Sequence, residues 1–146
     1  MARAFFFFLF AGALVISPFH RSIAATDDEV AARKIVLDLA GAFSNDGFKL
    51  RDGNFSGVIA PKHNVLVQVN LYAGNQYWFS VGATDKAKKL AITVFDESGK
   101  PIQSEPYEDA GKAAAGFAPE ASGPYFVRIQ ELEGEPATFC LIYSYK

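Results

Sequence analysis

Residue types able to carry catalysis are scarce in this chain of 146 residues, which has two histidines and one cysteine. His20 sits in an N-terminal apolar stretch, so the imidazole of a mature protein is His63, in the turn-like Pro61-Lys62-His63-Asn64. A zinc site would need further ligands at characteristic spacing beside it, and none stands there. A hydrolytic triad assembles from distant positions, so His63 keeps a small-hydrolase reading open. No Gly-x-Ser-x-Gly elbow or other nucleophile context accompanies it, however. As a turn residue, His63 reads as exposed. Cys140 lies in an apolar strand pattern, where burial raises the thiol pKa and makes it inert. Oxygen ligands for a structural calcium ion could come from Asp96, Glu97, Glu105, Glu108 and Asp109, or from Glu131, Glu133 and Glu135. Their spacing matches no EF-hand loop, and the last three flank a predicted hairpin turn at Gly134, where solvated charge is expected. There is no phosphate-binding loop and no dinucleotide fingerprint. These patterns assign no catalytic residue, metal ligand or cofactor, and the chain reads as a non-enzyme.

Aromatic residues are the other candidates. Residues 71–81, LYAGNQYWFSV, set Tyr77, Trp78 and Phe79 side by side after a turn. Such a trio could stack on a sugar or peptide, or belong to a buried strand. Its surroundings favour the strand. From Val65 onward apolar residues recur with period two, predicting strands at 65–71, 76–82, 90–96, 125–130 and 139–145. The turn DESGK and the long loop SEPYEDAGKAAAG separate them, and residues 48–64 read as short extended pieces joined by turns. This pattern predicts an all-β fold over 47–146, an antiparallel jelly-roll-like β-sandwich.

Alternation then assigns faces. Val65, Val67, Val69, Leu71, Tyr77, Phe79, Val81, Leu90, Ile92, Val94, Tyr125, Val127, Ile129, Phe139, Leu141 and Tyr143 form the inner face. The opposite set holds Gln68, Asn70, Ser80, Thr93, Arg128 and Ser144, but also Trp78, Phe95, Phe126, Cys140 and Ile142. If neighbours, those last five are too much apolar surface to leave wet on a monomer. Trp78, Phe95, Phe126 and Arg128 are therefore the candidate ligand-binding residues, unless something in the chain covers them.

The available cover is a predicted amphipathic helix at 26–46. Thr26 and Glu29 have capping-box spacing, and Asp27, Asp28 and Glu29 suit the positive end of the helix dipole. Ala32, Ile35, Val36, Leu39, Ala40 and Phe43 trace one apolar stripe. Such a helix is marginal alone and needs a surface to pack on.

Residues 1–25 have the pattern of a cleaved export signal: Arg3, an apolar run to residue 16, Pro18, then Ser22-Ile23-Ala24. The run falls short of the ~20 residues needed to span a bilayer. Loss of Arg3 and Arg21 from 14 basic residues leaves 12 against 16 acidic, a net charge of −4. This balance argues against nucleic acid or an anionic membrane surface as partner. Lys86, Lys88 and Lys89 are the densest basic group, read as a solvated loop. A secreted or periplasmic location follows from the signal, and with one cysteine no internal disulfide can form.

Three segments together resemble the bacterial pre-peptidase C-terminal domain. They are VNLYAGNQYWFSV, LAITVFDESGKPI with its Asp96-x-x-Gly99, and FAPEASGPYFVRI, covering about residues 65–146 in the expected order. The resemblance implies an exported, non-catalytic sandwich with a binding or accessory role, and in some members calcium or matrix-polymer binding. No peptidase accompanies the module here, and the N-terminal helix is an addition to the pattern. The expected partner is a protein or an extracellular polysaccharide. A structural envelope protein without a small ligand is the other non-enzymatic reading.

Overall fold

A computed structural model describes residues 24–146. The expected export segment at 1–25 thus lies, apart from Ala24 and Ala25, outside the described residues. One helix, α1 (Asp27–Ser44), precedes nine strands. These are β1 (Lys49–Leu50), β2 (Phe55–Ile59), β3 (Asn64–Leu71), β4 (Tyr77–Ala83), β5 (Ala87–Phe95), β6 (Glu105–Asp109), β7 (Lys112–Phe117), β8 (Gly123–Gly134) and β9 (Ala137–Tyr145).

All strand pairs are antiparallel and make two sheets. The larger runs β1-β9-β4-β7-β6, with β2 also paired to β9; the smaller runs β3-β8-β5. Their inner faces interdigitate as a sandwich core: Val67, Val69, Leu90, Val94, Val127 and Ile129 meet Phe79, Val81, Phe139 and Leu141. The inner set read from alternation is thus shared between two sheets facing each other. Tyr77 and Phe79 belong to this core, and Phe79 stacks on Tyr143 at 5.0 Å.

The segment expected as a loop at 104–116 is instead the β6–β7 hairpin, turning at Ala110-Gly111, where Gly111 has φ 67°. Its strands lack the bulky alternation by which strands are read. In β7, Ala113 and Ala115 face the core while Ala114 and Gly116 are buried on the opposite side. Small residues are needed on both faces there. β6 is exposed throughout and carries Pro106 and three acidic residues, a composition normally read as loop.

α1 lies across β9 and β4 on the outer face of the larger sheet. Its start is the predicted capping box: Glu29 N–H donates to Thr26 Oγ1 at 3.2 Å, and Thr26 N–H donates to Glu29 Oε2 at 2.8 Å. Ala32, Val36 and Ala40 pack on Cys140 and Ile142 in a second core, separate from that of the sandwich. Two glycines permit the approach. A Cβ on Gly82 would fall 2.9 Å from the Val36 backbone nitrogen, and one on Gly116 would fall 2.7 Å from the Trp78 ring. Trp78 lies over Gly116 and beneath Phe43, with the Phe43 and Trp78 rings stacked at 4.2 Å and 11°.

Gly82→Val is expected to lower stability by about 1–3 kcal/mol, because the helix must lift from the sheet. Gly41, with open space around its Cα, is the control: Gly41→Ala should stabilise α1 by up to about 1 kcal/mol. Urea unfolding of both variants checks the opposite signs.

Candidate functional site

The apolar outer set divides between the outer faces of the two sheets, which point away from each other. Trp78, Cys140 and Ile142 are on the larger sheet, under α1. Phe95, Phe126 and Arg128 are on the smaller one, which α1 does not reach as a packed neighbour. The sequence pairs these four site candidates by parity alone, and parity does not say which sheet a strand joins. Trp78 is therefore set apart from the other three, half-buried under Phe43.

On the smaller sheet the register places the outward residues in rows across the strands. Leu66, Arg128 and Thr93 form one row; Gln68, Phe126 and Phe95 form the next; Asn64, Gln130 and Ala91 flank the first. Leu66 is 57% exposed, and both phenylalanines are half-buried. The β5–β6 turn rises at one side. There Asp96 Oδ1 accepts from Ser98 N–H, Ser98 Oγ–H and Lys100 N–H, at 2.9, 2.6 and 3.0 Å. Those bonds hold the Asp96 carboxyl below its ordinary pKa. Glu97, Ser98 and Gly99 of this turn, with Asn64, Leu66, Phe95, Phe126 and Arg128, line a concavity of about 500 Å³.

Arg128 lines it from the middle strand, β8. The guanidinium carbon is 5.0 Å from the Phe95 ring centroid, a cation–π distance, and Nη2 donates to Thr93 Oγ1 at 3.3 Å. Its Nε–H is buried without a partner among the described residues. The ion pairs among the described residues, Lys34–Asp38 and Lys112–Asp109, leave Arg128 without a counter-charge. Leu66 and Gln68 were not singled out from sequence as site residues, although each stands one register step from a candidate.

The other chemical candidates are not assembled into a site. His63 is exposed in the Ala60–His63 turn, its Nδ1 3.1 Å from Pro61 O. Cys140 is closed off beneath α1, and burial pushes its thiol pKa up. Lys86, Lys88 and Lys89 are exposed around the start of β5. Among the described residues, no three His, Cys, Asp or Glu side chains are placed to hold a metal ion. No described helix is long and apolar enough to cross a membrane.

One acidic residue departs from expectation. Glu133 and Glu135 are exposed near the β8–β9 turn, but Glu131 is fully buried, with neither carboxyl oxygen hydrogen-bonded among the described residues. β8 runs on past the expected end at Gln130, so Glu131 follows Tyr125, Val127 and Ile129 onto the inner face. The β5 register shifts opposite it, and Gly134 closes over it: a Cβ there would lie 2.7 Å from Glu131 Oε1. Desolvation raises the Glu131 pKa.

No protein-family model matches the chain, and no curated protein matches it. Among solved structures it is similar to Aeromonas hydrophila PliG, a periplasmic lysozyme inhibitor of g-type lysozyme. The identity is 19%, over 64% of this chain and 85% of that one, with a TM-score of 0.45.

Two outcomes are expected. A carboxyl whose folded pKa exceeds its unfolded value favours folding at low pH and opposes it as pH rises through the folded pKa. Glu131→Gln should therefore gain stability relative to the parent above the unfolded carboxyl range, with the gain shrinking toward acid pH; urea midpoints across pH check this. Phe43→Ala should redden Trp78 emission and open it to acrylamide quenching, while losing about 0.5–1.5 kcal/mol of aromatic pairing.

Proposed function

We propose that this chain is an exported, non-catalytic binding module that engages a protein or an extracellular polymer through the outer face of β3-β8-β5. The observation that carries the reading is the pair of adjacent rows holding Leu66 and Arg128, and Phe126 and Phe95, apolar and cationic, on a sheet whose larger counterpart has its outer face covered by its own helix. Aromatic residues around a desolvated arginine are the composition of interface centres. A purely structural envelope protein would gain nothing from leaving this face open. A hydrolase would need groups around His63 that bond to it, and among the described residues its ring bonds only to a backbone carbonyl.

We extend the proposal to a pre-peptidase C-terminal-like sandwich over about residues 65–146. Support comes from turn geometry in the quoted segments. Gly74 and Gly99 adopt φ 91° and 80°, where a side chain would be strained, and Asp96 caps its own turn.

Placing a photo-crosslinking amino acid at Leu66 in the exported protein tests the reading in cells. The expected result is an adduct at position 66 that is absent when the same probe replaces Val30, exposed on α1. Equal adducts at both positions, or none at 66, would overturn it.

A further inference from the structure

We infer that two copies of this chain pair antiparallel through the free edge of β3, joining their smaller sheets into one six-stranded sheet. The inference concerns the lateral edge of that sheet, not its outer face, and stands apart from the binding reading above.

The sandwich has two lateral sides. β5 packs near β6 and β7 at one of them, and β2 meets β3 at the other. The first side is interrupted in both sheets. β6 carries Pro106 and three carboxylates. β5 shifts register between Ala87 and Leu90, among Lys86, Lys88 and Lys89, and Pro101 bridges to it at Phe95. The second side is interrupted in neither. β2 (FSGVI) and β3 (NVLVQVNL) contain no proline and no charged side chain. β3 also keeps register with β8 over all eight of its residues. Edges this long and regular are normally charged, bulged or covered.

The backbone of β3 has hydrogen-bonding capacity to spare. An antiparallel edge strand turns the N–H and C=O of every second residue away from its neighbour. Among the described residues, no backbone hydrogen bond other than the β8 ladder reaches residues 64–71. Apolar side chains are exposed on the same side. β1 and β2 share one edge of β9, and their Leu50, Phe55 and Val58 are exposed, as is Leu66 on β3. Phe55 stands opposite Leu141, a core residue, so it is a core-facing side chain left open where the sheet ends.

A second copy suits this edge. Two-fold pairing sets one patch against itself, and with no charge on β2 or β3 it brings no like charges together. Directly opposite residues share a face, so the axis must pass through a residue, Val67 or Gln68, and not between two. The outward residues Asn64, Leu66, Gln68 and Asn70 then meet one another, and the inward valines meet valines. Amides set opposite amides supply both donors and acceptors. Eight residues span about 27 Å, and two sheets with their side chains are about 20 Å deep, so each copy covers about 500 Å². The total of about 1,000 Å² reaches the lower bound for a specific association, that of a weak dimer.

The test measures the mass of the exported chain by sedimentation equilibrium over a dilution series, with amide exchange followed by NMR. The expected mass at NMR concentrations is that of two chains, falling toward one on dilution. Alternate amides of residues 64–71 should gain protection as concentration rises. Leu66 and Gln68 are both exposed. Leu66→Lys combined with Gln68→Lys sets like charges opposite each other in either register, and should raise the dissociation constant about tenfold or more. Tyr107→Lys, on β6, should leave it unchanged. Unchanged Trp78 emission, reporting from beneath α1, confirms that each variant is folded. A single-chain mass at every concentration, a dimer indifferent to the double substitution, or one dissolved by Tyr107→Lys would overturn the inference. So would β3 amides protected only when an extended peptide is added, which would assign the edge to a foreign strand. The photo-adduct at position 66 keeps the two readings distinct. Twice the chain mass reports this seam, and any other mass reports a partner on the outer face.

Discussion

A helix backbone set almost against a β-sheet is the constraint around which this molecule is arranged. Val36 can come that close only because position 82 has no side chain, and Trp78 can lie flat only because position 116 has none. From these two contacts follow the small residues of β7, the burial of Cys140 and Ile142, and the use of Phe43 as a lid on Trp78. The helix is thus part of the fold. Removing it would expose an apolar sheet face of the kind that monomers avoid.

The two outer faces obey opposite rules as a result. On the larger sheet, apolar residues answer to a cover within the same chain, and the polar atoms caught under it, Ser80 Oγ and Ser144 Oγ, have no partner. On the smaller sheet the apolar residues are interleaved with amides and with one arginine, which lies on Phe95 and donates to Thr93. A face that was merely uncovered would not need that mixture. Within one molecule, then, one outer sheet face is covered by its own helix and the other is not.

Most of the strands and the helix were legible, because bulky alternation and a three-four stripe with a capping box are local signals. Residues 105–117 were not. There the strand is defined by neighbours on both faces, and alanine and glycine satisfy them without any pattern. The site was half legible. Alternation correctly turned Phe95, Phe126 and Arg128 outward, but assigning Trp78 to the same surface required the strand order, which depends on pairing between distant segments. Glu131 had a usable signal: the alternation that turns Ile129 inward continues to it. Its charge and the glycine nearby pointed to a solvated turn, and the longer β8 prevailed.

The strand β6 closes one side of the larger sheet with a free edge, and its residues Glu105, Pro106, Tyr107, Glu108 and Asp109 are all exposed. A free edge is a template on which a second molecule can continue the sheet. Proline removes one backbone donor from that template, and carboxylates on two like edges repel each other. This edge is therefore a poor template for a second copy, even where the molecule is crowded. The composition that disguises β6 as a loop also blunts it as a sheet edge.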